Sequence, residues 1–237
     1  MTKKTLLSNQ LFILFCLITI FLQTFNLPKG QQTITGSFYE QFYGLSIEGF
    51  NLYNYLFVII IFLFPVTIFF STRLIVSTGD IYYQLIRYPS FKKWFYQLFR
   101  KMNYHAFFTI LTLFIYTLLL AVVFDYPLTG NNPFTYWELF YQFIINGFLQ
   151  LINYHLIMII FICLTKKAEF FLFNIGILIV LGLPLFNAHW IFPVALNSLG
   201  YITGGFYQPI HITVILGTYI IIELFIINLL LSKKLIS

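Results

Sequence analysis

Apolar residues run in blocks near 20 residues long, with polar residues gathered between them. Six blocks are long enough to cross about 30 Å of hydrocarbon as helices. They fall at about 8–27, 54–76, 105–124, 139–164, 169–188 and 211–231. The pattern predicts an all-α, polytopic membrane protein forming a single transmembrane domain over 1–237. The start "MTKKTLL" with its apolar run looks like a signal peptide, but "QTFNLPKGQQ" offers no small-x-small cleavage site, so a retained first helix is expected.

Orientation follows from the cations. With both ends in the cytoplasm, all of the 13 Lys and Arg residues except Lys29 fall on the inner side. Cationic segments resist translocation, so this asymmetry predicts six spans with N and C termini inside. Glu40, Glu48, Asp125 and Glu138 fall outside.

Three connections are long: outer 28–53, inner 77–104 and outer 189–210. The last, "HWIFPVALNSLGYITGGFYQPI", is too apolar for a solvated loop and predicts short or re-entrant elements in the outer interface. In the inner loop, Pro89 breaks any helix extending from the second span and Ser90 is placed to cap a new, separate one. Phe91, Trp94, Phe95, Leu98, Phe99 and Met102 then share one face, while Lys93, Gln97, Arg100 and Lys101 share another. An amphipathic helix of this kind can lie in the interface, each lysine contributing about 1 kcal/mol against anionic headgroups. Cations at a helix N-terminus oppose its macrodipole, which favours an external anion, lipid or protein, as partner for Lys92 and Lys93.

Composition narrows the class. The chain is 60% hydrophobic and 8% charged, too few polar side chains to cover a soluble globule. A net charge of +6 reports topology here, and a nucleic-acid partner is not expected. Cys16 and Cys163 lie within apolar runs and form neither a metal motif nor a disulfide framework. The sequence holds no GxxxxGK[ST], HExxH or GxSxG. His105, His155, His189 and His211 are scattered, and acids are too few for a paired-carboxylate site. No catalytic residue, metal or cofactor bound by this chain is expected.

Polar groups inside the spans stand out against this background. Gln142, Asn146, Gln150 and Asn153 lie on one face of the fourth span. They read as interhelical hydrogen bonding or as the wall of a translocation path or subunit interface. His155 lies off that stripe. Glu223 is the one acid deep in a span, and reads as bonded to a neighbouring helix or in contact with substrate or a proton. Pro65 and Pro184 are placed to bend their spans, and Gly176, Gly182 and Gly217 to admit close helix approach.

This layout resembles the permease subunit of a type-2 ATP-binding-cassette (ABC) exporter. "IRYPSFKKWFYQLFRKM" stands where that family has a coupling helix, between spans two and three. "WIFPVALNSLGYITGGFYQPI" stands where it has outer re-entrant helices, between spans five and six. "RLIVSTGDIYYQLIRYPSFKKWF" resembles small permeases encoded with bacteriocin or peptide export and immunity systems of low-GC Gram-positive bacteria. The first outer loop is rather long for the family. The resemblance implies a multi-pass protein of the bacterial cytoplasmic membrane, pairing with a second copy or a related permease. A separate ATPase dimer carrying ATP and Mg would dock through Arg87, Tyr88, Ser90, Lys92, Lys93 and Trp94. The cargo implied is a hydrophobic or amphipathic peptide. The competing expectation is a stand-alone membrane immunity or binding protein without ATP coupling.

Overall fold

The computed structural model describes residues 14, 18, 21, 33–46, 49–73, 91–127, 135–165, 171–186, 192–202 and 207–234. Among these the fold is all-helical, and four helices are long and apolar enough to cross a membrane. Leu14, Ile18 and Phe21, from the expected first span, are helical and exposed; the rest of that span lies outside the described residues.

The long first connection contains a buried helix, α1 (Ile34–Gln41). Thr33 caps it, its hydroxyl accepting from Gly36 N–H at 3.1 Å. The reason for burial is aromatic: Phe38 is fully enclosed and packs its ring against Phe42, Phe114, Phe140 and Phe143. Helix α2 (Leu52–Arg73) follows, with Pro65 inside it.

Helix α3 (Phe91–Val123) joins two elements that the sequence separates. A distinct amphipathic helix and a third span beginning near 105 are expected; one helix of 33 residues is found. No Gly or Pro interrupts it, and its buried row stays in register across the expected junction: Trp94, Leu98, Met102, Ala106, Ile110, Leu113, Thr117 and Leu120. Asn103, two residues before that junction, donates back to the Phe99 carbonyl at 2.9 Å and leaves the helix intact. At its far end α3 stops in a Schellman motif. Asp125 takes φ 53°, its N–H donates to Val122 O at 3.1 Å, and Tyr126 N–H donates to Ala121 O at 2.9 Å.

Helix α4 comprises an α-helical start (Tyr136–Phe140), a π-helical turn (Tyr141–Asn146) and an α-helical body (Gly147–Thr165). A capping box opens it. Thr135 Oγ1 accepts from Glu138 N–H at 3.3 Å, and Glu138 Oε2 accepts from Thr135 N–H at 3.1 Å. Helix α5 (Phe171–Leu181) has 11 described residues, about 16 Å of rise, and ends at Leu181, before the close of the span expected over 169–188. The chain turns at Gly182, where a Cβ would strike Tyr55 and Val194, and Pro184 follows. Among the described residues, by contrast, nothing lies within 4 Å of a Cβ built at Gly176 or Gly217, and neither brings a helix close. Helix α6 (Pro209–Lys234) starts with proline at its first helical position. Helix α4 is central, touching α2, α3, α5 and α6.

Candidate functional site

Two regions carry the chemistry that the sequence singles out. The first is the N-terminal part of α3. Arg87, Tyr88 and Ser90 lie outside the described residues, and Lys92 is placed by its helical backbone alone. Trp94 is buried, as are Leu98 and Met102, whereas Lys93, Gln97, Arg100 and Lys101 are exposed. The expected segregation of faces is therefore present, but the apolar face is spent on the protein's own core. Beside the basic face a groove of about 410 Å³ is lined by Tyr96, Phe99, Arg100, Asn103, Tyr104 and Phe107 of α3, with Phe148 of α4.

The second region is the polar row of α4. Gln142, Asn146, Gln150 and Asn153 have no exposed surface, and Glu223 on α6 is 5% exposed. Their partners lie within the chain. Gln142 Nε2 donates to the carbonyls of Leu196 and Ser198 at 2.9 and 3.2 Å. Gln150 Nε2 donates to Pro193 O at 2.6 Å, and its Oε1 accepts from Leu196 N–H at 3.1 Å. Asn146 Nδ2 donates to Gln142 Oε1 at 2.5 Å and to Pro209 O at 2.8 Å, and its Oδ1 accepts from the Thr213 hydroxyl at 2.6 Å. The row thus supplies donors and acceptors to an irregular buried segment, residues 192–202, and to the start of α6.

That segment needs such a partner because it lacks a ladder of its own. Ala195 sits at φ 57°, a conformation that costs an L-residue roughly 1–2 kcal/mol. Its N–H donates to the Tyr154 hydroxyl at 2.9 Å, while its carbonyl accepts from the N–H and hydroxyl of Ser198 at 3.0 and 2.6 Å. Leu199 N–H and Gly200 N–H donate to the carbonyls of Phe42 and Tyr43 at 2.9 and 2.8 Å. Gln142 to Tyr154 cover roughly 18 Å of α4, and their side chains converge on residues 193–198. Irregular backbone in an apolar setting persists only when its polar groups are met in this way.

Sequence reasoning missed Tyr154, and the signal was available. Gln142, Asn146, Gln150 and Tyr154 are a strict four-residue row, and all four serve the irregular segment or its α6 junction. Asn153 leaves that row by one residue and turns to α6, where its Nδ2 donates to Glu223 Oε1 at 2.8 Å. A second feature had no signal. His105 of α3 and His155 of α4 face each other, ring centroids 5.4 Å apart, beside Phe69 and Phe70. His155 Nδ1 bonds the Leu151 carbonyl at 2.6 Å. Residues on two different helices announce no such pairing in sequence. Among the described residues no three His, Cys, Asp or Glu side chains gather into a metal-binding group.

Within the membrane-embedded architecture, then, the chemistry divides between a basic, groove-bearing helix end and an internal polar row. No family model, curated protein or solved structure matches the chain.

Proposed function

We propose that the protein is the membrane-embedded permease subunit of a two-component transporter of the ABC type, moving a hydrophobic or amphipathic peptide. The observation that carries this reading is α3: a membrane-length apolar helix whose N-terminal end bears Lys93, Arg100 and Lys101 on its exposed side. A cytoplasmic ATPase engaging that end, together with Arg87, Tyr88, Ser90 and Lys92, acts on a membrane helix with no intervening joint. In this reading the permease works as a pair and lies in the bacterial cytoplasmic membrane with both termini inside, and the ATP and Mg belong to its partner. The six-span count and the outer placement of 192–202 are part of the same proposal.

The test is co-purification from the native membrane followed by transport. Tagged protein is expected to bring an ATPase with it. Lys92→Glu combined with Lys93→Glu is expected to lower ATP-dependent transport while membrane insertion stays intact. Unchanged transport removes these lysines from the mechanism, and absence of any ATPase removes the ABC reading.

One observation favours a second reading. Gln142, Asn146, Gln150, Asn153 and Glu223 all make hydrogen bonds inside the chain, so the polar row is spent on internal structure. A stand-alone immunity or peptide-binding membrane protein needs no path, and it follows if protection against a peptide persists without ATP.

A further inference from the structure

Helices α4 and α6 meet at one buried acid. Glu223 Oε1 accepts from Asn153 Nδ2 at 2.8 Å. The two oxygens left over on this pair, Glu223 Oε2 and Asn153 Oδ1, are both inaccessible and both lack a hydrogen-bond donor. Two bare acceptors on side chains already joined through their other atoms is an arrangement that one hydrogen resolves. A protonated carboxyl donates from Oε2 to Oδ1 while Oε1 accepts from Nδ2, which closes a cyclic acid–amide pair.

Turning the amide over leads to the same requirement. Oδ1 then lies 2.8 Å from Oε1 in place of Nδ2, and a proton has to sit between the two oxygens. A buried water could donate to both bare oxygens, but it would leave a carboxylate charge in an apolar helix bundle. Among the described residues no Lys, Arg or His acts on Glu223 to balance such a charge. Among the described residues the groups that act on it are Asn153 from α4 and Tyr219 from its own helix, and a phenol is neutral near pH 7. His155 is turned to the other side of α4, against Phe69, Phe70 and His105, and the Tyr154 hydroxyl is taken by Ala195 N–H. Isolated charge in such surroundings is much the more expensive alternative.

We propose that Asn153 and Glu223 form a proton-binding site that joins α4 to α6 as a neutral acid–amide pair. The site is independent of the transporter reading, because it rests only on these two side chains. Binding is a simple protonation: the carboxylate takes one proton at Oε2, and deprotonation returns that proton to water and leaves both oxygens without a donor. Loss of the proton therefore weakens the α4–α6 contact.

The experiment is infrared difference spectroscopy on full-length protein in lipid vesicles at neutral pH, wild type minus Glu223→Gln. A carbonyl band of a protonated carboxylic acid, shifted in D₂O and lost in Glu223→Gln, is expected. Glutamine reproduces the shape and the donor of the neutral acid, so Glu223→Gln should unfold at the wild-type temperature, whereas Glu223→Ala should unfold at a lower one. A folded Glu223→Gln protein with no such band in the difference spectrum overturns the proposal. A band that vanishes when sodium is added at constant pH also overturns it, by assigning the pair to a metal cation.

Discussion

At the scale of single residues, the buried irregular segment rests on two backbone positions of opposite chemistry. Gly44 has φ 61° and lies against Ser198, so a methyl group there meets both strain and the serine side chain. Ala195 has φ 57° and carries the strain already. Gly44→Ala is expected to destabilise the protein by at least about 1–2 kcal/mol, the ordinary penalty of a left-handed L-residue. Ala195→Gly is expected to be neutral or stabilising by up to about 1 kcal/mol, after glycine's larger unfolded-state entropy is subtracted. Thermal unfolding in detergent measures both, and equal effects at the two sites would contradict the backbone assignment. Gln150 makes a different kind of contribution. Gln150→Leu strands the Pro193 carbonyl and the Leu196 N–H together, at about 1–3 kcal/mol for each unsatisfied group. The same unfolding assay reads it, and a loss below about 1 kcal/mol would mean that water replaces the amide.

At the scale of elements, sequence and structure agree where a single physical cause operates. The basic and apolar faces of residues 91–102 were legible because helical periodicity alone sorts them, and Trp94, Leu98 and Met102 are indeed buried. The fusion of that stretch with the following span was hidden by a change of composition, from mixed to largely apolar, that has no backbone consequence. The polar row was legible as a row, but most of its partners were not: apart from the Thr213 hydroxyl and the Glu223 carboxyl group, those outside the row are backbone groups 43 to 63 residues away, and a backbone group leaves no mark in sequence. The early end of α5 was half-legible, since Pro184 was visible as a bend and Gly182 as a point of close approach, while the packing of Tyr55 and Val194 against that glycine leaves no mark in sequence. Continuity of α3 makes its own prediction. Tyr104 is 64% exposed, so Tyr104→Pro removes little packing while breaking the helix at a penalty of about 3 kcal/mol. If α3 transmits work, Tyr104→Pro should keep its ATPase partner yet lose transport about tenfold or more, the factor given by about 1.4 kcal/mol in the coupled step. Tyr104→Ala is the control, and equal loss in both would assign the effect to the side chain.

At the scale of the whole molecule, burial is strongly uneven. Helix α4 is wrapped by its neighbours, whereas α6 buries about a fifth of its most apolar stretch and α3 about two fifths. The outward rows, Phe108, Leu111, Ile115, Leu119 and Val122 on α3 and Val214, Ile221, Phe225 and Leu229 on α6, are apolar, and the one polar residue within the α6 row, Thr218, returns its hydroxyl to the Val214 carbonyl at 2.8 Å. They suit hydrocarbon, as an exposed apolar surface on a membrane helix should. The polar chemistry is concentrated at the centre, around α4.

That concentration has a consequence for biogenesis. Among the described residues, the side chains and carbonyls that hydrogen-bond the backbone of residues 193–200 from elsewhere in the fold belong to Phe42, Tyr43, Gln142, Gln150 and Tyr154, and these precede the segment in the chain. A ribosome delivers the template before the strand of peptide that must be read against it. The segment can therefore pass from translocation machinery onto a finished surface, and its bare amides need not wait in lipid for a partner still to be made.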